Sequence, residues 1–324
     1  MKPHAPVTTT DGTTGTAETS RSPGATGRTL AASETSRNSG ATGRTVVVTG
    51  AAGATGRAVI AALADRGVSA TALVHRAGQI PSALAAGAGR AVAVELTDRA
   101  ALADAIGGAG ALYHVPPNMH PDEDGITRSV IETAQRCGVG RFVLHSVLAP
   151  HLPAMPHHLR KAESEAVLRC SALTWTILQP GWYAQNLLAH LPSARAEGVI
   201  RVPYSASAPF TPVDLADVAE AAAAVLTGTG HEFACYELSG PATLSTHEMA
   251  EVVAGLLGVP VRAERQSVAH WRRSTPGPIP DGFEPMFRHY DRHGLVGNPS
   301  VLAMLLGRSP TDLRAVLTRR LGVP

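Results

Sequence analysis

The sequence has few cysteines and little net charge, and each shortage excludes a class of protein. Only Cys137, Cys170 and Cys235 occur among 324 residues, and their spacing fits neither a disulfide framework nor a zinc site. The 28 lysine and arginine residues nearly balance 26 acidic ones, which leaves a formal net charge of +2 and argues against a nucleic-acid partner. We therefore expect a protein of a reducing compartment, the cytoplasm, without a metal site.

Long apolar runs are also missing. No segment approaches the roughly 20 consecutive apolar residues that a membrane span needs, and the first residues lack the apolar middle of a secretory signal, so we expect no membrane partner. Hydrophobic residues nevertheless make up 44% of the chain. That content is enough for one large α/β domain, or for a core with a smaller appendage.

The pentapeptide GATGR occurs three times, at residues 24–28, 40–44 and 53–57. Residues 1–44 are rich in Thr, Ser, Gly and Arg and have almost no large apolar side chains, so they predict a disordered tail. A short polar segment duplicated within such a tail has no core to pack against. We therefore interpret the first two copies as decoys.

The third copy lies between a strand pattern and a helix pattern. Residues 45–50, TVVVTG, are a β-branched run, and residues 57–67 have apolar side chains at helical spacing before a glycine. Glycines in such a loop permit a tight turn and close approach to a pyrophosphate, while the amides at the helix start attract the anion. The candidate residues for this contact are Gly50, Gly53, Ala54, Thr55 and Gly56. The spacing GxxGxxG departs from the usual GxGxxG, so an ordinary glycine-rich turn stays open as an alternative.

The following segments continue an alternation of strands and helices. Strand patterns occur at residues 69–76, 90–98, 110–117, 141–147 and 173–180, with helical patterns at 99–106 and 125–137 between them. Such alternation predicts an α/β fold with a parallel, doubly wound sheet, whose ligand lies at the carboxyl ends of the strands.

The ordered motifs resemble those of the atypical short-chain dehydrogenase/reductases, in the NmrA-like and quinone-reductase-like branch. The matching segments are residues 49–56, 95–106, 157–188, 209–226 and 236–258. The resemblance implies a Rossmann core over residues 45–181. It further implies a smaller, substrate-covering C-terminal lobe over 182–324 that returns some segments to the core.

The same resemblance assigns positions to several side chains. It places Glu95 and Leu96 near the adenine, and Val115 and Pro116 near the nicotinamide ribose. It also gives Asp214 and Asp217 an anchoring role at the start of a later helix.

The cofactor is indicated by the residues about 20 positions beyond the glycine loop. An NAD site usually has an acidic residue there to bind the ribose hydroxyls, but this chain has His75 and Arg76. A cation at this place favours the 2′-phosphate of NADP through charge-assisted hydrogen bonds. The sequence therefore predicts NADP rather than NAD, and the alternative for Arg76 is a solvated loop residue.

Three residues are candidates for catalysis by resemblance. Better-known members of the superfamily have a serine after the fifth strand and a tyrosine four residues before a helical lysine, with the tyrosine as proton donor. Ser146 and Lys161 match this pattern, but His157 stands in place of the tyrosine. The Lys161 ammonium should lower the pKa of His157 and weaken it as a donor. The alternatives are a turn-forming serine, an exposed helix lysine and a helix-start histidine.

Substrate contacts are predicted from the loop after the sixth strand. Trp182, Tyr183 and Asn186 follow that strand, and aromatic side chains with polar tips suit a planar, partly apolar ligand such as a quinone or cyclic ketone. They suit a cap over the core equally well. We expect the proline-rich stretch at residues 274–294 either to cover the substrate or to contact a partner subunit. In the second case two copies of the chain would form a homodimer.

Together these patterns predict an NADPH-dependent reductase that transfers hydride to a small carbonyl, quinone or enone. Two alternatives use the same dinucleotide site: a non-catalytic NAD(P)-sensing regulatory protein, and a redox-neutral isomerase or dehydratase. The glycine motif cannot separate the three, because a fold and a cofactor do not fix an activity.

Overall fold

The computed structural model of the protein describes residues 45–322. The predicted tail with its two copies of GATGR, residues 1–44, lies outside the described residues.

Two parallel sheets are built from the strands of the described region. These are β1 Val46–Val48, β2 Ala70–Val74, β3 Arg90–Ala93, β4 Ala111–His114, β5 Phe142–His145, β6 Trp175–Pro180, β7 Val199–Val202, β8 Ala234–Leu238 and β9 Arg262–Arg265. Seven strands lie in the order β3-β2-β1-β4-β5-β6-β8, and β7 pairs with β9. The strand order reverses between β1 and β4, which is the point where Rossmann sheets bind ligands.

The helices of the described region complete the layers. They are α1 Ala54–Asp65, α2 Ile80–Ala85, α3 Arg99–Ile106, α4 Glu123–Arg136, α5 Pro156–Arg169, α6 Leu191–Glu197, α7 Leu215–Thr227, α8 Thr246–Leu257, α9 Val268–Ser274, α10 Phe283–His293, α11 Ser300–Leu306 and α12 Leu313–Leu321. Short 3₁₀ turns lie at Ala77–Gln79 and Ala184–His190.

Helices cover both faces of the larger sheet. On one face α1 and α7 bury Val59 and Val218 against β1 and its neighbours. On the other face α3 and α4 bury Leu102 and Val130 against the same strands. Strands covered on both sides carry continuous apolar runs, as the fully buried VVV of β1 illustrates. The predicted doubly wound Rossmann sheet is confirmed.

Residues beyond 181 contribute both to the sheet and to a second apolar cluster. Strand β8 lies beside β6 at the edge of the seven-stranded sheet, and α7 packs on α1. In contrast, a separate apolar cluster is formed by side chains of four other elements, β7, α8, α10 and α12. Its members include Ile200, Val253, Phe287 and Val316. This second cluster lies next to the loop that follows β6.

That loop is tied to the start of α7 and to the last helix. The carboxylate of Asp214, the N-cap of α7, accepts hydrogen bonds from the amide of Ala216 at 3.1 Å and from Gln185 Nε2 at 2.6 Å. Arg319 of α12 donates to its other oxygen at 2.5 Å, and Gln185 Oε1 accepts from the amide of Leu215 at 3.1 Å. Asp214 thus anchors three segments, which agrees with the role implied by the resemblance.

Candidate functional site

The glycine loop between β1 and α1 is tightly packed. Gly50 has a φ of +59°, which favours glycine. A Cβ on Gly56 would lie 2.4 Å from the carbonyl oxygen of Gly50 and 2.7 Å from Ala51 Cα, so only glycine fits in the first turn of the helix. The third copy of GATGR therefore forms the compact strand–loop–helix that its sequence context predicts.

The start of α1 is open to a ligand. No side chain of the described residues caps this helix, and no acidic residue lies in its first turn. Among the described residues, a Cβ on Gly53 would meet only the Gly50 carbonyl oxygen, at 3.2 Å. The first amides of a helix have no partner within the helix and carry partial positive charge, so these residues fit a pyrophosphate.

A cavity of about 530 Å³ extends from this loop along the ends of β2 and β3. Its walls include nearly all of the predicted cofactor residues, namely Gly50, Gly53, Ala54, Thr55, Gly56, His75, Glu95, Leu96, Val115 and Pro116. His75 Nε2 lies 3.0 Å from the Glu95 carboxylate. Arg76 does not line the cavity: it is exposed beside His75, at the start of a 3₁₀ turn.

A second cavity of about 480 Å³ adjoins the first. It is lined by all of the predicted catalytic and substrate residues, namely Ser146, His157, Lys161, Trp182, Tyr183 and Asn186. Four residues, Thr55, Val115, Pro116 and Asn118, belong to the walls of both cavities. The two spaces therefore meet beside the start of α1, and the structure brings the predicted catalytic residues together there.

Lys161 forms a buried ion pair. Its ammonium contacts the carboxylate of Glu123 at the start of α4, and the two side chains are 9% and 1% exposed. Burial raises the pKa of Glu123, against the lowering effect of the Lys161 charge. Lys161 is therefore not an exposed helix lysine, and part of its charge is balanced within the protein.

Ser146 is buried at the end of β5 and its proton is already engaged. Its hydroxyl donates to Glu165 Oε1 at 2.5 Å, and the same oxygen accepts from Gln179 Nε2 at 2.7 Å. A hydroxyl has one proton to donate, so Ser146 in this arrangement can only accept a hydrogen bond from a ligand.

Three further side chains form a hydrogen-bonded row beside the second cavity. The hydroxyl of Tyr113 lies 2.6 Å from His145 Nδ1, and the hydroxyl of Tyr183 lies 3.1 Å from His145 Nε2. The sequence did not single out Tyr113 or His145, nor Glu123 and Glu165. Their position in the strands could have identified the two histidines, because His114 and His145 are polar residues at the carboxyl ends of β4 and β5.

Burial leaves the histidines near this site uncharged. It lowers the pKa of His114, His145 and His157 to about 3 and that of His158 to about 4, with a smaller lowering from the Lys161 charge in each case. The expected direction for His157 is confirmed, but burial is a larger cause than Lys161. His157 Nδ1 is buried without a hydrogen-bond partner among the described residues.

These four histidines predict a loss of stability in acid. Their ordinary pKa is 6.5, so at pH 5 the unfolded chain binds ~4 more protons at these positions than the folded one. The free energy of unfolding should therefore fall steadily as pH drops from 7 to 5. Urea denaturation across this range measures how steeply the free energy of unfolding depends on pH. The variant His145→Gln should take up about one proton fewer on unfolding at pH 5, so its dependence should be less steep. A free energy that does not change over this range would contradict the assignment.

Aromatic side chains close the second cavity. Trp271, Phe283, Phe287 and Tyr290, from α9 and α10, lie on its wall, with the rings of Trp271 and Phe287 4.7 Å apart. Part of the proline-rich stretch at residues 274–294 thus covers the cavity, which was one of its two interpretations. The wall suits an apolar, planar ligand.

Two kinds of feature are absent from residues 45–322. No group of three or more His, Cys, Asp or Glu side chains there could hold a metal ion. Over the same residues, no helix combines the length and apolar character of a membrane span.

Comparison with known proteins agrees with this geometry. A family model described as NAD(P)H-binding matches residues 50–229. The chain is 34% identical over 250 residues to a (4-alkanoyl-5-oxo-2,5-dihydrofuran-3-yl)methyl phosphate reductase of Streptomyces griseus, covering 74% of this chain and 84% of the relative.

Solved structures are similar over most of the described chain. The crystal structure of an NADPH-dependent quinone oxidoreductase of Escherichia coli with NADPH has a TM-score of 0.77 at 25% identity, covering 85% of this chain and 99% of that one. A variant of NmrA has a TM-score of 0.69 at 18% identity, covering 84% and 93%, and this likeness concerns the fold alone.

The matches confirm the predicted class, an NAD(P)H-dependent oxidoreductase on a Rossmann core. The family model covers more than half of the chain, and the fold, the glycine loop and the order of motifs agree with it. The chain therefore belongs to the NAD(P)H-binding family, among the atypical short-chain dehydrogenase/reductases that include the NmrA-like and quinone-oxidoreductase-like proteins.

Proposed function

We propose that this protein is an NADPH-dependent reductase of neutral, planar carbonyl compounds, with quinones as the leading substrate class. The observation that carries the proposal is the junction of the two cavities. The first cavity fits a dinucleotide along the glycine loop, and it opens at Thr55, Val115, Pro116 and Asn118 into an aromatic-walled space. A bound NADPH would supply hydride at this junction.

The residues of the first cavity have separate roles in holding the cofactor. Gly53, Ala54 and Thr55 present the helix start to the pyrophosphate, and Leu96 offers an apolar surface to the adenine. Lys161 lies on the wall of the second cavity, where its remaining N–H groups are available to the nicotinamide ribose.

The charge of the second cavity favours a neutral substrate over a phosphate ester. Lys161 is paired with Glu123, and the lowered pKa values leave His145, His157 and His158 uncharged. Among the described wall residues, no cation is therefore free to balance a phosphate dianion. The Streptomyces griseus relative is named for a phosphate substrate, whereas the Escherichia coli structure is named for quinones, and this cavity supports the second class.

Calorimetry with NADPH and NADH, followed by NADPH oxidation in the same sample, tests the proposal. The acceptors should be quinones, enones, cyclic ketones and a furanone phosphate ester. We expect NADPH binding, with kcat/KM for a naphthoquinone at least about tenfold above that for the phosphate ester, because an unbalanced buried charge is costly. Tight binding without turnover on any acceptor would instead favour the sensor or the redox-neutral enzyme.

Arg76→Ala should lower the affinity for NADPH about 10- to 100-fold while leaving NADH affinity nearly unchanged, because charge-assisted hydrogen bonds to the 2′-phosphate are lost. The guanidinium is exposed beside the first cavity and makes no ion pair with any described residue. Calorimetric titration of both nucleotides measures the ratio.

Arg66→Ala is the matched control, since Arg66 is exposed at the other end of α1. It removes the same charge at a distance from the glycine loop. Equal losses of NADPH affinity in both variants would show that Arg76 does not bind the 2′-phosphate.

Two further expectations extend the proposal. Cys137, Cys170 and Cys235 are all free thiols, which supports a reducing compartment and the cytoplasm as the location. A homodimer stays a prediction, which sedimentation velocity would test.

A further inference from the structure

The row formed by Tyr113, His145 and Tyr183 has a definite direction. Tyr113 is fully buried, and His145 Nδ1 is the partner of its hydroxyl at 2.6 Å. Tyr183 lies at the other end of the row and lines the second cavity. A neutral imidazole has one N–H and one acceptor nitrogen, so only one of the two tyrosines can donate to it.

Burial decides which tyrosine donates. If His145 carried its proton on Nδ1, the Tyr113 hydroxyl would accept that bond and its own proton would lack a partner in the core. A buried unsatisfied donor is costly, so Tyr113 donates to Nδ1 and the ring proton lies on Nε2. Nε2 then donates to the oxygen of Tyr183, so the Tyr183 proton is not held by His145.

Two of the predicted catalytic side chains already have partners within the protein. The Ser146 hydroxyl donates to Glu165, and the Lys161 ammonium is paired with Glu123 and would bind the nicotinamide ribose with its other N–H groups. His157 is uncharged, and its Nδ1 is buried against the segment that contains Gly282. Tyr204 and Tyr290 also line this cavity, but Tyr183 is the tyrosine that lies beside Thr55, where the second cavity meets the first.

The position of Tyr183 is fixed by its backbone neighbours. The carbonyl of Trp182 accepts from the amide of Val213 at 2.9 Å, and the amide of Ala184 donates to the carbonyl of Val213 at 2.9 Å. Burial raises the pKa of the Tyr183 phenol, against a smaller lowering by the nearby Thr55 hydroxyl. Thr55 belongs to both cavities, so Tyr183 stands beside their junction.

We propose that Tyr183 donates the proton to the substrate oxygen, taking the place of the tyrosine that the sequence lacks at His157, with His145 and Tyr113 as positioning residues. This inference rests on the proposed reductase function. A bound NADPH would supply the hydride to the substrate carbon and be oxidised by two electrons as the carbonyl is reduced. The carbonyl π pair would move to oxygen, and that oxygen would take the Tyr183 proton. The Tyr183 phenolate accepts from His145 Nε2–H and regains a proton from water when product leaves.

Tyr183→Phe is the direct test. It should lower kcat about 100-fold, the effect of removing a positioned general acid, while NADPH affinity stays within about twofold of the wild type. Tyr113→Phe should lower kcat about tenfold although Tyr113 does not line the cavity, because the preference for the Nε2–H form of His145 is weakened.

Tyr236→Phe is the matched control for both variants. It also removes a tyrosine hydroxyl bonded to a histidine, His231 Nδ1 at 3.0 Å, but on β8 and away from both cavities. It should leave kcat unchanged. Thermal unfolding curves compare the folding of the three variants.

A readout independent of turnover uses the wild-type protein. Long-range ¹H–¹⁵N NMR spectra of the histidine rings should show the proton of His145 on Nε2, and Tyr113→Phe should increase the Nδ1–H form. A wild-type proton on Nδ1 would overturn the proposal even if a variant failed to fold.

The outcomes separate this inference from the proposed function. If the wild type does not oxidise NADPH with any acceptor, the proposed function is wrong, and so is the role of Tyr183. Turnover in the wild type that Tyr183→Phe matches overturns the role of Tyr183 alone. If Tyr183→Phe and Tyr236→Phe lower kcat by the same factor, the role of Tyr183 is also overturned.

Discussion

Gly56→Ala is expected to abolish detectable NADPH binding and to lower the free energy of unfolding by about 3 kcal/mol, at the upper end of overpacking costs. The added Cβ would lie 2.4 Å from the carbonyl oxygen of Gly50 and 2.7 Å from Ala51 Cα. Both are backbone atoms of the glycine loop, so relief requires the loop to move away from the start of α1. The pyrophosphate site is made of that loop and those amides. Calorimetry and urea denaturation measure the two effects.

Gly78→Ala is the control for this change. No atom of the described residues, apart from its chain neighbours, lies within 4 Å of a Cβ at Gly78, so the same methyl group is added where these residues leave room. We expect it to retain NADPH binding and stability. Tight NADPH binding by Gly56→Ala would show that the cofactor does not rest on this loop.

Lys161→Met is expected to lower the free energy of unfolding by about 3–5 kcal/mol, because it leaves the Glu123 carboxylate buried without its partner. The Glu123 side chain is 1% exposed, and its second oxygen, Oε2, has no hydrogen-bond partner among the described residues. Chemical denaturation at pH 8 measures the loss.

The sign of the pH dependence provides a second check on this variant. Loss of the Lys161 charge should raise the pKa of Glu123 further, since that charge lowers it in the wild type. A carboxyl group with a raised pKa binds its proton more tightly in the folded state, so its contribution to stability falls as pH rises. The deficit of Lys161→Met relative to wild type should therefore shrink between pH 8 and pH 5.5. A constant deficit would argue against a charged Glu123 as its cause.

The double variant Glu123→Leu with Lys161→Met separates structure from function. Replacing both members of a buried ion pair by apolar groups is often close to neutral, so most of the lost stability should return. If NADPH binding or kcat remains low in this folded variant, the loss comes from the contact of Lys161 with the cofactor rather than from folding. Recovery of both would leave Lys161 a structural role only.

The sequence was informative wherever local pattern decides the outcome. The β-branched run before Gly50 and the helical spacing after it predicted β1 and α1, and helix α3 has the predicted bounds, Arg99–Ile106. The pairing of β7 with β9 and the strand β8 escaped prediction, because these short segments gain stability only from neighbours distant in sequence.

The chemistry of the site was less accessible from the sequence. Ser146, Lys161 and Tyr183 were identified as candidates, but their partners Glu165, Glu123 and His145 lie 19, 38 and 38 positions away. Each of these distances is closed by the parallel sheet or by helices packed on it. A one-dimensional pattern therefore indicated which groups line the cleft but not which of them retain a free proton.

The anchor at Asp214 bears on how this enzyme could be recombined with its relatives. The loop that carries Tyr183, the start of α7 and Arg319 of α12 share one carboxylate, although α12 begins more than 120 residues after the loop. A chimaera with a crossover at residue 181 would keep the loop and α12 from the same parent. A crossover placed between α7 and α12 would take the loop and α12 from different parents, and the contact of Arg319 with Asp214 could then be lost.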